Sequence, residues 1–417
     1  MSPTYRLARS PSIPAARKLQ RAARTKVPRA FRGPVLRRWF VAPLALVALG
    51  LVLLVVTTQG CASFGGLPSG PRLERMQASA HWKDGHFVNA EPTAVMQEGG
   101  AGTMLEWFSS DVMRVPSCPL PLATDTRAVL DVPPKTGLRV TWLGHSTTIL
   151  EVDGVTVLTD PMFSERASPS TIAGPKRFHP PPLALDQLPR IDAVVISHDH
   201  YDHLDMRSIQ ALAAKGVPIH VGLGVGAHLE AWGVPPAQIH ELEWWEERSI
   251  GALRIVSTPA RHFSGRRGFG NDRALWTSWT FVGPEHRVFF SGDTGLTPQF
   301  KDIATRLGPL DVSLLEIGQW HPAWGAIHLG PQGALEAHAM LSAKHLIPIH
   351  WATFELGLHA WNEPPETLVT QAEKTNTSVV TPRLGQPIEP LAGEVGSRWW
   401  RALPPLAAEC PDLGTKP

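Results

Sequence analysis

From residue 137 onward, short apolar runs alternate with turn residues and with stretches of helical spacing. Residues 138–143, 147–152 and 155–159 are rich in β-branched and aliphatic side chains and predict three consecutive strands. Asp153-Gly154 between the second and third is a two-residue hairpin turn. Four further apolar runs, 193–197, 253–258, 287–291 and 345–349, have strand length, and 206–215 and 331–343 read as helices. Strands alternating with helices predict an α/β layered domain over 136–391. Upstream, 39–56 is a run of 18 residues without a charge, long enough to cross a hydrocarbon core of roughly 30 Å as a helix. Residues 58–135, rich in Gly, Pro, Ser and Ala, predict a tether followed by a segment that caps the main domain. The Pro-rich tail, 392–417, predicts irregular structure.

Charge sharpens the picture at the N-terminus. Of the 39 Lys and Arg residues, eleven lie in the arm 1–38, which has no acidic residue. The remaining 28 basic residues are outnumbered by 37 acidic ones. A body that acidic is a poor partner for a phosphate backbone, which argues against nucleic-acid binding. The basic arm followed by the apolar segment 39–57 predicts an N-in membrane anchor, with the rest of the chain beyond a bacterial inner membrane, in the periplasm. Gly60-Cys61 offers an alternative, an exported lipoprotein attached at Cys61, and Arg37-Arg38 fits a loose twin-arginine export pattern. With 43% hydrophobic and 18% charged residues, disorder is excluded. Three cysteines exclude a disulfide scaffold and a thiolate zinc site. If Cys61 is committed to the membrane, Cys118 and Cys410 remain, and an oxidising compartment would let them pair if their Cα atoms lie within about 7 Å.

The candidate chemistry lies at strand ends. The run 193–197 ends in His198-Asp-His-Tyr-Asp-His203; 253–258 is followed by Pro-Ala-Arg-His262; 287–291 by Gly292-Asp293; and 345–349 by His350. Ligand sites of α/β sheets assemble at the C-terminal ends of strands. Imidazole and carboxylate donors suit zinc, and also manganese or iron. The spacing predicts one divalent ion on His198, His200 and His262, and a second on Asp202, His203 and His350. Asp293 would bridge them, leaving room for a bridging hydroxide as nucleophile. Asp199 is a candidate for orienting a ligand imidazole and Tyr201 for lining the cleft. His145 reads as a strand-turn residue, and His179, His220, His228, His286 and His338 as ordinary core or surface histidines. Trp320 and Trp324, close before His328, are candidates for lipid contact, while the other tryptophans read as core.

These segments, together with Trp142-Leu-Gly-His-Ser-Thr147, Leu158-Thr-Asp-Pro161, Gly174-Pro-Lys-Arg-Phe178 and His350-Trp-Ala-Thr-Phe354, resemble the metallo-β-lactamase superfamily. Within it the resemblance narrows to enzymes like N-acylphosphatidylethanolamine-hydrolysing phospholipase D, over roughly 137–375. The resemblance implies a four-layer αβ/βα sandwich with two metal ions at one edge. It implies a phosphodiesterase acting on a membrane phospholipid, with Asp202, Asp293 and His328 as catalytic residues and His328 contacting the substrate phosphate. A bridging carboxylate at Asp293 argues against cleavage of β-lactam antibiotics. A lactonase, or a non-catalytic envelope protein with a structural metal, are the competing expectations, and a homodimer is left open.

Overall fold

The computed structural model describes residues 62–95, 100–266, 272–404 and 410. The basic arm 1–38, the apolar segment 39–57 and Cys61 lie outside the described residues. Among the described residues no helix is long and apolar enough to cross a membrane.

Helix α1 (Gly70–Gln77), a short hairpin of β1 (Trp82–Lys83) and β2 (His86–Phe87), α2 (Gly100–Ser109) and α3 (Thr126–Leu130) precede the main domain. The first sheet is built from β3 (Leu138–Gly144), β4 (Thr147–Val152), β5 (Val155–Thr159), β6 (Ala193–Ile196), β7 (Ile219–Gly222) and β8 (Ile239–Leu242), with α4 (Met206–Ala214) and α5 (Gly226–Ala231) between its later strands. The second contains β9 (Glu247–Ile250), β10 (Leu253–Thr258), β11 (Ser278–Val282), β12 (Arg287–Phe290), β13 (Leu310–Glu316) and β14 (Ala343–Ile349). Helices α6 (Gln299–Leu307) and α7 (Gly330–Leu341) connect its last strands; α8 (Glu363–Thr375) follows, and β15 (Pro387–Ile388) returns to the first sheet beside β3.

Each sheet has an antiparallel part and a parallel part. In the first, β15-β3-β4-β5 are antiparallel and β5-β6-β7-β8 parallel; in the second, β9-β10-β11-β12 are antiparallel and β12-β13-β14 parallel. Parallel strands are covered on both faces, which is why their sequences are nearly continuous in apolar residues. β6 shows the consequence. Val194 and Ile196 pack with Ile209 and Leu212 of α4, while Ala193 and Val195 join Ile255 and Phe281 of the second sheet in the central core. Helices α7 and α8 add Ala334, Leu341, Leu368 and Ala372 to that core from the other side. The layers are helix, sheet, sheet, helix. The hairpin expected at Asp153-Gly154 is present, with both residues at positive φ (50° and 84°), as a tight primed turn requires.

The segments on either side are part of the packing. Met76 of α1 and Phe87 of β2 share an apolar cluster with Leu223, Trp244, Ala260 and Trp276, so the capping segment is anchored on loops from both sheets. Arg72 ties α1 to Glu230 and Glu241 at 2.7 and 2.6 Å. The tail is less irregular than its proline content suggests, since Trp399 and Trp400 are buried in the central core in a 3-10 turn. Cys118 and Cys410 are bonded, with Cα atoms 5.6 Å apart.

Candidate metal centre

Four strand ends bring seven side chains to one point. His198 follows β6 directly after Ser197, His262 follows β10, Asp293 follows β12 and His350 follows β14. Gly292 makes the approach of β12 to β6 feasible: a Cβ there would lie 2.3 Å from the Cβ of Ser197, at φ +55°. His350 itself sits at φ 66°, and its amide donates to the carbonyl of His145 at 2.9 Å.

Two trios form, with Asp293 between them. Nδ1 of His200 lies 2.8 Å from Nε2 of His198 and 3.4 Å from Nε2 of His262. On the other side, Oδ2 of Asp202 lies 3.3 Å from Nε2 of His203 and 3.5 Å from Nε2 of His350. Asp293 places Oδ1 3.2 Å from Nε2 of His350, and Oδ2 3.2 Å from Nε2 of His203 and 3.9 and 3.8 Å from those of His198 and His262. A cation with four donors at about 2.1 Å sets them about 3.4 Å apart, so both trios have the right spacing. Nε2 of His203, Nε2 of His350 and Oδ1 of Asp293 are buried and, although they approach one another, none has a well-aligned hydrogen bond. Orphaned polar atoms converging in a buried site are what a bound cation would satisfy. The residues present fit the group.

The two sides differ electrostatically. Burial works against charge on every ring, and His198, His200 and His262, which face one another, are pushed below the ordinary imidazole range. Burial acts equally on His203 and His350, but Asp293 and Asp202 outweigh it and raise both, His350 to about 10. A trio of imidazoles beside a trio that includes the carboxylate of Asp202 offers two unlike binding positions, one with more negative charge than the other.

Carboxylates behind the site orient these rings. Asp160, at the end of β5, accepts from Nδ1 of His203 at 2.7 Å and from Ser197 at both its amide (2.7 Å) and hydroxyl (2.6 Å). Sequence reasoning expected Asp199 to orient a ligand imidazole; instead it pairs with His228 at 3.3 Å and accepts from the amide of Gly265 at 2.8 Å. The motif around Asp160 was visible, but its partner was not. His145 is the turn residue expected, at φ 51°, and it also places Nε2 2.8 Å from Oδ2 of Asp202. Burial lowers its pKa to about 3, so a neutral ring meets that carboxylate. His179, His220, His228, His286 and His338 are all buried away from the centre.

The centre opens into a cleft of about 510 Å³ lined on one side by His200, Asp202, His262, Asp293, His328 and His350. The rest of its lining is largely apolar: Val95, Ala167, Phe263, Trp324, Ile327 and Leu356. Tyr201 lines it as expected, with its hydroxyl donating to the carbonyl of Arg266 at 2.8 Å. His328 packs at 5.2 Å from His262 and 5.5 Å from His350, and its Nδ1 lies 2.8 Å from Oε2 of Glu316, a buried carboxylate that no sequence motif marked. Trp324 reaches the cleft, whereas Trp320 packs over Gly330.

Comparison with known proteins gives the same picture. The sequence profile of the β-lactamase superfamily domain matches residues 155–351. An uncharacterized protein of Mycobacterium tuberculosis is 44% identical over 332 residues, spanning 78% of this chain and 88% of the relative. N-acyl-phosphatidylethanolamine-hydrolyzing phospholipase D 1 of Caenorhabditis elegans is 35% identical over 270 residues, 60% of this chain and 76% of that enzyme. A shorter stretch of 98 residues is 41% identical to outer membrane protein RomA of Klebsiella pneumoniae, covering 24% of this chain and 74% of that protein.

Proposed function

The chain belongs to the metallo-β-lactamase superfamily of metal-dependent hydrolases, and from that premise we propose that it is a dinuclear phosphodiesterase of phospholipase D type acting on N-acylphosphatidylethanolamine-like lipids. The observation that carries the reading is the pair of donor trios sharing Asp293 at the floor of a half-apolar cleft. His198, His200 and His262 would hold one divalent ion, Asp202, His203 and His350 the other, and Asp293 would meet both. Two bound cations supply Lewis-acid polarisation and a water of lowered pKa. Zinc suits these donors, and manganese and iron share the preference.

The chain's own residues account for the rest. His328 stands at the cleft side of the centre, where it meets a phosphoryl or leaving oxygen. Phe263, Trp324, Ile327 and Leu356 offer an acyl chain an apolar wall. Helix α2 reaches the loop of the cleft residue Trp324 through Glu106, 3.5 Å from His321, and turns Leu105 and Phe108 to solvent as an apolar lip. An apolar lip of that kind suits an enzyme that takes its substrate from a bilayer. The N-terminal apolar segment would keep enzyme and substrate on one surface, as an anchor or by directing attachment of a lipid at Cys61. A second reading, a lactonase, is favoured by one feature of the cleft. Arg266 spends its guanidinium on the carbonyls of Ser63, Asp199 and Leu204, so it is committed before any phosphate arrives.

The test is hydrolysis by the purified chain of N-acylphosphatidylethanolamine, a simple diester and a lactone panel. We expect preference for the lipid, about two metal ions per chain, and reduced metal with near-complete loss of turnover in Asp293→Asn. In water labelled with heavy oxygen the label should enter the phosphatidic acid. Label in the released alcohol would refute attack at phosphorus, and turnover of lactones alone would replace the first reading by the second.

A further inference from the structure

Glu316 closes β13 and its side chain is inaccessible to solvent. A buried carboxylate is costly unless its oxygens are answered by donors. Those of Glu316 are answered from separate loops. Oε1 accepts from the amide of Thr294 at 2.8 Å and from that of Leu329 at 3.3 Å. Oε2 lies 2.8 Å from Nδ1 of His328 and 3.6 Å from Nδ1 of His350. Thr294 is the residue after Asp293, and Leu329 the residue after His328. One carboxylate therefore braces the loop of the bridging aspartate, the loop of the cleft histidine and the end of β14.

The two oxygens do different things. Oε1 serves the backbone, and an amide oxygen could replace it there. Oε2 serves an imidazole, and only an acceptor can take the Nδ1 proton of His328. With Nδ1 committed, Nε2 is the ring nitrogen left for the cleft. The rings of His262 and His350, at 5.2 and 5.5 Å, limit how far His328 can turn.

We propose that Glu316 is a positioning residue that fixes His328 with Nδ1 donating and Nε2 presented to the substrate's phosphoryl group. What Nε2 meets rests on the phosphodiesterase reading; the orientation of the ring does not. Glu316→Gln is the discriminating variant. Its amide oxygen keeps the acceptor for Thr294 and Leu329, while its NH2 turns a donor toward Nδ1. That reverses the hydrogen bond and drives the proton to Nε2.

The experiment pairs ring-nitrogen NMR with kinetics on the zinc-loaded full chain. Long-range nitrogen–proton correlation, assigned with His328→Ala, should show Nδ1 of His328 protonated in the wild type and Nε2–H in Glu316→Gln. The variant should retain its metal and its KM, and lose about 10- to 100-fold in kcat on a phosphodiester, the usual scale for removing a partner of this kind. In a His328→Ala background the same substitution should cost nothing more. A wild-type His328 carrying its proton only on Nε2 overturns the proposal, as does a full additional loss in the double variant. If the wild type turns over no phosphodiester, the functional reading falls, and the NMR result still decides the role of Glu316.

Discussion

At the scale of single residues, the site was most legible where a titratable side chain directly follows an apolar run. His198 and His350 stand directly after such runs, and His200, Asp202, His203, His262 and Asp293 lie within six residues of one, because a strand end fixes where the next residues point. Asp160 and Glu316 lie at such ends too, those of β5 and β13, yet neither was assigned a role. A lone acid after an apolar run also marks an ordinary strand leaving the core. Only the partner across the fold, His203 or His328, distinguishes the two cases. Asp199 shows the converse, since a place inside the ligand motif did not bring it to a ligand ring. The geometry predicts that Asp160→Asn will loosen His203, because a neutral amide no longer answers both Ser197 and the imidazole. Affinity for one of two cations should fall by about 10- to 100-fold, measured by competition with a coloured chelator. An unchanged pair of affinities would show that Asp160 matters only to Ser197.

At the scale of elements, hydrophobic patterning identified β3, β4, β5, β6, β10, β12 and β14 and the two helices α4 and α7. It did not mark β7, β8, β9, β11, β13 or α8. Several of these are short, and β13, although bounded by Gly308-Pro309 and Gly318, has its apolar run interrupted by Asp311 and Ser313. Helix α8 opens with Glu363-Pro-Pro, which reads as a loop although proline is tolerated in a first helical turn. That helix holds the tail: Glu366 accepts from Nε1 of Trp400 at 3.0 Å and pairs with Arg401 at 2.7 Å. The Arg401 hydrogen bond, with the help of Trp400, lowers the Glu366 pKa from 4.5 to about 2. A carboxylate with a depressed folded-state pKa stabilises above its unfolded value and loses that contribution as pH falls through the folded one. The stability advantage of the wild type over Glu366→Gln should therefore be complete above about pH 4.5 and fade by about pH 2. Chemical denaturation followed by tryptophan fluorescence reads this difference, because Trp399 and Trp400 pack against Trp351. Equal stability of the two proteins at every pH would assign the tail's docking to ring packing alone.

At the scale of the whole molecule, the cap and the tail meet at Cys118 and Cys410, a sequence separation of 292 residues. Cys118 is buried in the central core beside Leu120, so the bond anchors the tail to the interior. Spacing in the sequence suggested a pair only once export was assumed, and the 5.6 Å between Cα atoms makes it geometrically sound. Closing so long a loop restricts the unfolded chain, and the entropic ceiling is roughly 5–6 kcal/mol, with measured effects usually about 2–5. Cys410→Ser should therefore unfold at lower denaturant with a loss of about 2–5 kcal/mol. Metal content and turnover should hold, because neither cysteine is among the residues that line the metal cleft. The bond also carries a cellular consequence, since it persists only where thiols are oxidised. Thiol labelling of the chain isolated from its native cells should find Cys118 and Cys410 blocked until a reductant is added. Free thiols at both positions would place the body in a reducing compartment. The charge asymmetry of the N-terminal arm would then need an explanation other than export.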